Sequence, residues 1–379
     1  MANYDKMTQR ERFLAVMEYK TPDRIPNHEA GAWNQTKDRW AAEGLDRHDY
    51  TWDWFTGEDA LKLDPREFID VKYGMFPGFE REVLHMDDRY EIYRDSIGIV
   101  HKALIEGESG GMRSCMDQYV SFPVENQSDF DELKKRYIAS HKGRYPTAWR
   151  ELFVPRWNSR DHVLVLGRNC SITGFYWRTR EWMGTENLSF AFYDQPKLVD
   201  DMMEFIMNFI IDVSKPVLET TDVDYIMINE DMSMKNGPLL SPSHYKKYIY
   251  PRMRMLIDFF KSHRVKYVLV DTDGNCEALI PLMMDAGVDG IWPMERVADM
   301  DPIKLRKQYG KSLRLWGGVD KMEVAKGREA IDRHLAYLLP LIEEGGFIPT
   351  IDHAVSPDIS LDSFMYYMKR KRDMLCGNF

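Results

Sequence analysis

At 379 residues the chain is long enough for one large barrel or two ordinary domains. Its 61 Asp and Glu outnumber 51 Lys and Arg, giving a net charge of −10, which argues against nucleic acid as the main partner because phosphate binding is driven by clustered cations. No apolar run approaches the roughly 18 residues of a membrane helix, the polar start at 1–8 carries no signal peptide pattern, and four scattered cysteines (Cys115, Cys170, Cys276, Cys376) without a CxxC pair fit a reducing cytoplasm.

Along the chain, Thr8-Gln9-Arg10-Glu11 forms a capping box, and Phe13, Leu14, Val16 and Met17 follow at helical spacing, so an opening helix is predicted that ends before Thr21-Pro22. Arg24-Ile25-Pro26-Asn27-His28-Glu29 reads as a short strand ending in polar groups. Residues 33–160 are Trp-rich, charged and irregular, and read as an elaborated insertion or cap. Beyond residue 160 the pattern becomes regular. Strand-like runs appear at 163–166, 225–229, 267–270, 288–292, 313–316 and 347–351, with amphipathic helices at 197–218, 242–263, 276–286 and 328–344 between them. Such alternation points to parallel βα units. With the strand at Arg24 the count is seven; one more is expected inside the middle region. The basic run Lys369-Arg370-Lys371-Arg372 lies on a terminal helix and reads as a solvated face. The predicted architecture is one α/β domain over 1–379, a (β/α)8 TIM barrel whose enlarged N-terminal region caps the C-terminal face.

The most telling stretch is Lys266-Tyr267-Val268-Leu269-Val270-Asp271-Thr272-Asp273-Gly274-Asn275. An apolar strand stops at two carboxylates spaced i, i+2, which puts both on one face, where they repel unless a cation or a shared proton lies between them. A second strand, Phe347-Ile348-Pro349-Thr350-Ile351, ends in Asp352-His353. Together with His28-Glu29, Asn229-Glu230-Asp231, Glu295 and Asp320, these groups all fall at the C-terminal ends of proposed strands, where a TIM barrel carries its active site. Neither GxGxxG nor a Walker A motif is present, which lowers the odds of a nucleotide enzyme.

Several stretches resemble the uroporphyrinogen decarboxylase superfamily: Glu230-Asp231 with Asn236-Gly237-Pro238-Leu239-Leu240-Ser241-Pro242, Asp271-Thr272-Asp273-Gly274-Asn275, Ala286-Gly287-Val288-Asp289-Gly290, Trp316-Gly317-Gly318-Val319-Asp320 and Asp352-His353-Ala354-Val355-Ser356-Pro357-Asp358. The opening Thr8-Gln9-Arg10-Glu11-Arg12-Phe13 and Asp23-Arg24-Ile25-Pro26 are similar too, while 33–160 match weakly. The resemblance implies a TIM barrel. One branch decarboxylates uroporphyrinogen without a cofactor and carries an Arg-rich stretch near its start; here that place reads Asn27-His28-Glu29-Ala30-Gly31-Ala32-Trp33, without the arginines a poly-carboxylate needs. The other branch moves methyl groups to or from corrinoids, often with zinc on a His-x-Cys pair and a distant Cys. Those positions are similar to Asp271-x-Asp273 and His353 here, which exchanges soft thiolates for hard oxygens and an imidazole.

The resemblance thus implies an O-demethylase methyltransferase: a small methylated, O-methyl aromatic substrate gives its methyl group to a Co(I) corrinoid on a separate protein, since no DxHxxG cobalamin segment is present. Glu230, Asp271, Asp273 and His353 are the expected catalytic residues, and also the expected ligands of a divalent metal, zinc before others. His28, Glu29, Trp33, Trp177, Asn275 and Trp292 are the expected substrate-binding residues. Each has a plainer reading. Asp273-Gly274 is good turn chemistry, Asn275 could cap the helix at Cys276, the tryptophans are core by base rate, and Cys276 reads as a buried, inert thiol. Two rivals remain: a cofactor-free decarboxylase or lyase using Asp271, Asp273 and His353 as acid and base on a carboxylated substrate, and a catalytically silent binding barrel. No nucleic acid or membrane partner is expected, the location is cytoplasmic, and a homodimer is left open.

Overall fold

The computed structural model describes residues 6–46, 61–106, 115–167 and 172–379, with backbone alone at 108–109 and 112–113; Cys170 lies outside the described residues. The opening helix, α1 (Gln9–Met17), carries the predicted capping box: Glu11 N–H donates to Thr8 Oγ1 at 3.2 Å and Thr8 N–H to Glu11 Oε2 at 2.8 Å. Its buried Phe13, Val16 and Met17 press against the inward side chains of a curled parallel sheet.

That sheet runs, neighbour to neighbour, through β1 (Arg66–Ile69), β2 (Val163–Leu166), β3 (Tyr225–Asn229), β4 (Tyr267–Asp271), β5 (Gly290–Trp292), β6 (Arg314–Val319) and β7 (Phe347–Ile351). The short strand Ile172–Thr173 also pairs with β3. Strand alternation sorts the side chains. Tyr225, Met227, Tyr267, Leu269, Trp316 and Ile348 fill the interior, while Val268, Val270 and Leu315 pack outward against helices such as α2 (Pro196–Leu218) and α3 (Arg328–Glu344). This period-2 register carries Asp271 inward at the C-terminal mouth of the barrel.

The extra strand expected in the middle region is β1; it was hidden because Arg66 and Glu67 interrupt a run of only four residues. The strand expected at Arg24–Glu29 is not formed. That segment does run between the two edge strands of the sheet, but Pro26 lacks an N–H and side chains take over the ladder's work. Asn27 N–H donates to Asp64 Oδ2 at 2.8 Å and Ile351 N–H to Glu29 Oε2 at 3.1 Å. Main-chain bonds flank it, from Asp64 N–H to the Asn27 carbonyl at 2.9 Å and from Val355 N–H to the Gly31 carbonyl at 3.0 Å. The helix expected at 242–263 forms over 242–262 and passes through a π-helical turn, Tyr245–Ile249, just before Pro251, which cannot donate to the ladder.

The terminal helix α4 (Leu361–Leu375) corrects another expectation. Lys371 is not solvated: it is fully buried and bonds Glu29 Oε1 at 2.6 Å. Breaking a buried pair of this kind costs about 3–5 kcal/mol, so the pair locks α4 to the 24–33 segment.

The middle region does form a cap. Strands Glu82–Met86, Tyr90–Arg94, Val100–Leu104 and Gln118–Ser121 make an antiparallel sheet beside the C-terminal barrel face. Among the described residues, no helix is long and apolar enough to cross a membrane.

Candidate active site

The turn after β4 builds the centre of the site. Gly274 has φ +72, and a Cβ there would stand 2.7 Å from the Met234 carbonyl oxygen, so only glycine lets this turn lie against the 233–238 hairpin. The turn aims Asp273 across the barrel mouth, where its Oδ2 lies 3.3 Å from Nε2 of His353, at the end of β7. Asp273 Oδ1 is buried without a hydrogen-bond partner. Asp271, two residues earlier on the same face, is buried, and in register it lies beside Asn229, whose Oδ1 is also unpartnered.

Charge is distributed unevenly among these groups. Burial, followed by the carboxylates of Asp273 and Asp231, pushes Asp271 well above the usual carboxylate range. Its protonated form is thereby favoured. Burial alone would push His353 down, but its contact with Asp273, as hydrogen-bond acceptor and as charge, outweighs that and raises it. Asp231, raised mainly by burial, takes a left-handed backbone with φ +35 and pairs with Arg180; such strain in a non-glycine residue costs about 1–3 kcal/mol and collects at functional sites. The guanidinium of Arg180 in turn lies 4.9 Å from the Trp177 ring centre.

A cavity of about 790 Å³ opens between cap and barrel. Its barrel wall includes Asp231, Asp273 and Glu295; Trp177 and Arg180 come from the helix Phe175–Met183; its cap wall includes Tyr119, Phe122 and Met116. Trp33 completes the neighbourhood, edge-on to His353 with ring centres 6.5 Å apart. The cavity combines aromatic faces and one guanidinium with the carboxylate of Asp273, which contacts the His353 imidazole. It can seat a small amphipathic molecule.

The structure brings together Asp271, Asp273, His353, Trp33 and Trp177, and puts the other expected residues to different uses. Glu230 is fully buried and accepts from Phe175 N–H at 3.0 Å and Tyr176 N–H at 2.6 Å, anchoring the N-terminus of the cavity helix. Glu29 is engaged by Lys371, the Tyr367 hydroxyl at 2.6 Å and Ile351 N–H. His28 stacks on Trp316 in the barrel interior, and burial, then the charges of Arg66 and Lys371, hold it well below its ordinary value, so it stays neutral. Asn275 ties its turn to the next loop by donating to the Ala298 carbonyl at 3.0 Å and accepting from Glu277 N–H at 3.1 Å. Trp292 packs in the interior cluster. Cys276 is buried, its thiol pushed up to about 12 by burial, as an inert thiol should be.

The expected metal set does not assemble. Among the described residues no three His, Cys, Asp or Glu side chains are grouped so as to hold an ion, and Glu230 is committed to helix N–H groups.

The profile of the family described as Uroporphyrinogen decarboxylase (URO-D) matches residues 180–374, just over half of the chain. The chain belongs to the uroporphyrinogen decarboxylase family. Among solved structures, a methyltransferase from Methanosarcina mazei is similar over 97% of this chain and 99% of its own, at 15% identity and TM-score 0.58, a likeness of fold. A B12-independent methionine synthase from Shewanella sp. W3-18-1 covers 79% of this chain and 76% of its own at 11% identity and TM-score 0.38, too remote to carry an argument. No curated protein is similar enough to count as a match.

For this member of the uroporphyrinogen decarboxylase family, the residues that sequence reasoning missed are Arg180, Asp231 and Glu295. Asp231 and Glu295 stood in polar clusters at strand ends without a role. Arg180 carried a usable signal: it follows Trp177 by three residues on a helix that begins beside the C-terminal end of β3, so the two share a face.

Proposed function

We propose that this chain is a methyltransferase that moves a methyl group from a small O-methylated aromatic substrate to a Co(I) corrinoid carried by a separate protein, with proton assistance at the leaving oxygen. The observation that carries this reading is the His353–Asp273 pair, 3.3 Å apart beside an aromatic-walled cavity. The fold likeness to the Methanosarcina mazei methyltransferase and the absence of arginines at 27–33 also support it.

An aryl ether parts with its methyl group slowly, because the leaving phenolate is poor unless protonated as it forms. In the proposed step the C–O bond breaks, its electron pair stays on oxygen, and that oxygen takes the proton of the His353 imidazolium. Asp273 holds the imidazolium charged and oriented. Burial favours the protonated form of Asp271, which limits the negative charge set against the forming oxyanion. Trp177, Tyr119 and Phe122 offer faces to the ring. When bound, the corrinoid supplies the nucleophile that accepts the methyl group; Met116 and Met234, 82% and 62% exposed at the cavity rim, are the apolar edge it would rest on.

The test is anaerobic: purified protein, Co(I) cobalamin and a panel of methoxylated aromatics and methylamines. Phenol release in step with loss of the Co(I) spectrum is expected with a methoxylated aromatic, and treatment with a chelator should leave the rate unchanged. An intact Co(I) spectrum across the panel would contradict the reading, and loss of activity on chelation would replace proton assistance by a metal. One observation keeps the cofactor-free lyase as second reading: Arg180 supplies, inside the cavity, a cation a carboxylated substrate could use. That reading predicts CO2 release without any corrinoid.

A further inference from the structure

The two halves of the acid pair stand on different loops, Asp273 after β4 and His353 after β7. Each is tied to the same strut. Gly274 N–H, adjacent to Asp273, donates to Glu295 Oε2 at 2.9 Å. Glu295 Oε1 meets Lys321 Nζ at 3.0 Å, with the two side chains only 16% and 17% exposed. On the other side, Asp352, adjacent to His353 and fully buried, accepts from Lys321 N–H at 3.1 Å through Oδ1 and from Arg296 N–H at 2.8 Å through Oδ2. The loops after β4, β5, β6 and β7 are thus joined in one chain of contacts: Asp273-Gly274, Glu295-Arg296, Lys321, Asp352-His353.

We propose that Glu295 and Lys321 are positioning residues that set the separation and orientation of Asp273 and His353; the kinetic half of the test rests on the methyl-transfer reading, and the spectroscopic half does not. An ion pair that merely stabilised loops would sit at the solvent edge and contribute about 0–1 kcal/mol. This one is sheltered: its Glu295 end accepts from the Gly274 N–H beside Asp273, and its Lys321 end donates a backbone N–H to the Asp352 carboxylate beside His353. Removing the Glu295 carboxylate frees the 273–274 turn from the loops that hold Asp352, loss of the Lys321 ammonium loosens that carboxylate, and misplacement by about 1 Å costs an enzyme on the order of 100-fold.

The test compares wild type, Glu295→Ala, Glu295→Gln and Lys321→Met by two readouts. The first is the nitrogen-bound proton signal of the His353 imidazole in 15N-labelled protein, assigned with His353→Gln. The second is kcat and KM for methyl transfer. We expect Glu295→Ala and Lys321→Met to shift or broaden the His353 signal and to lower kcat by about tenfold to 100-fold with KM changed by less than about threefold. Glu295→Gln, which can still accept from Gly274 N–H, should recover most of both. An unmoved His353 signal in Glu295→Ala, with circular dichroism showing a folded protein, would overturn the proposal. A wild type inactive in methyl transfer, but with the signal displaced in Glu295→Ala, would support the strut and reject the reaction instead.

Discussion

Two carboxylates and an imidazole do different work because their surroundings differ. Asp271 is shut inside the barrel mouth, and burial followed by two other carboxylates favours its protonated form, whereas contact with Asp273 at 3.3 Å outweighs burial and favours the charged form of His353. The sign of the resulting pH dependence follows. The useful form of His353 is the protonated one, so the methyl-transfer rate should be level on the acid side and fall as pH rises through the raised value of His353, above its ordinary 6.5. In Asp273→Asn the raising contact is gone while burial still pushes the imidazole down, so the alkaline limb should move to lower pH and the rate at neutrality should drop by about 100-fold. A pH–rate profile of kcat/KM checks this; an unmoved limb would remove Asp273 from the pair. Asp271, Asp273 and His353 were legible in the sequence because a strand that stops at charged residues announces a barrel mouth. Glu29 and Glu230 looked the same on paper. Their partners, Lys371 for one and Phe175 and Tyr176 for the other, lie far along the chain, and nothing local distinguishes a carboxylate waiting for substrate from one already satisfied.

The helix Phe175–Met183 shows what such a satisfied carboxylate does for an element. Gly174, at its start, has no side chain to cap the exposed N–H groups, and a Cβ there would lie 2.5 Å from the Glu230 carboxyl. Glu230 takes the capping role from the neighbouring strand, and with it fixes the helix that presents Trp177 and Arg180. The cost appears in its ionisation: burial outweighs the helix N–H bonds and pushes Glu230 up to about 7. Because the folded chain then binds this proton more tightly than the unfolded chain, the contribution to stability is complete below the ordinary carboxylate value and is lost as pH rises through about 7. Over that window it amounts to roughly 3 kcal/mol. Glu230→Gln cannot titrate, so its melting temperature should fall less than that of wild type between pH 5 and pH 8, measured by circular dichroism. Parallel curves would show that Glu230 is ionised throughout. At this scale β2, β3 and β7 were legible to the residue, being short runs dominated by apolar side chains. The segment 24–29 misled because Asn27 N–H donates to the Asp64 side chain and the segment's own Glu29 carboxylate accepts from Ile351 N–H in place of ladder bonds, a choice that only the assembled barrel reveals.

At the scale of the whole molecule, the barrel supplies the rigid acid pair and the cap supplies the aromatic wall, so neither alone makes the cavity. The barrel followed from the alternation of strands and helices beyond residue 160. The cap's share of the site did not, because Tyr119 sits on a short exposed strand, with Met116 and Phe122 just outside its ends, and the local sequence carries no sign of the face they meet. The account stands or falls on proton delivery to the leaving oxygen. The direct measurement is the rate of methyl transfer to Co(I) across a series of methoxylated aromatics whose phenols differ in acidity, in wild type and in His353→Gln. If His353 protonates the leaving oxygen, the wild-type rate should depend only weakly on phenol acidity and the variant's rate steeply, with the largest loss for the least acidic phenols. Equal slopes in the two proteins would contradict the account.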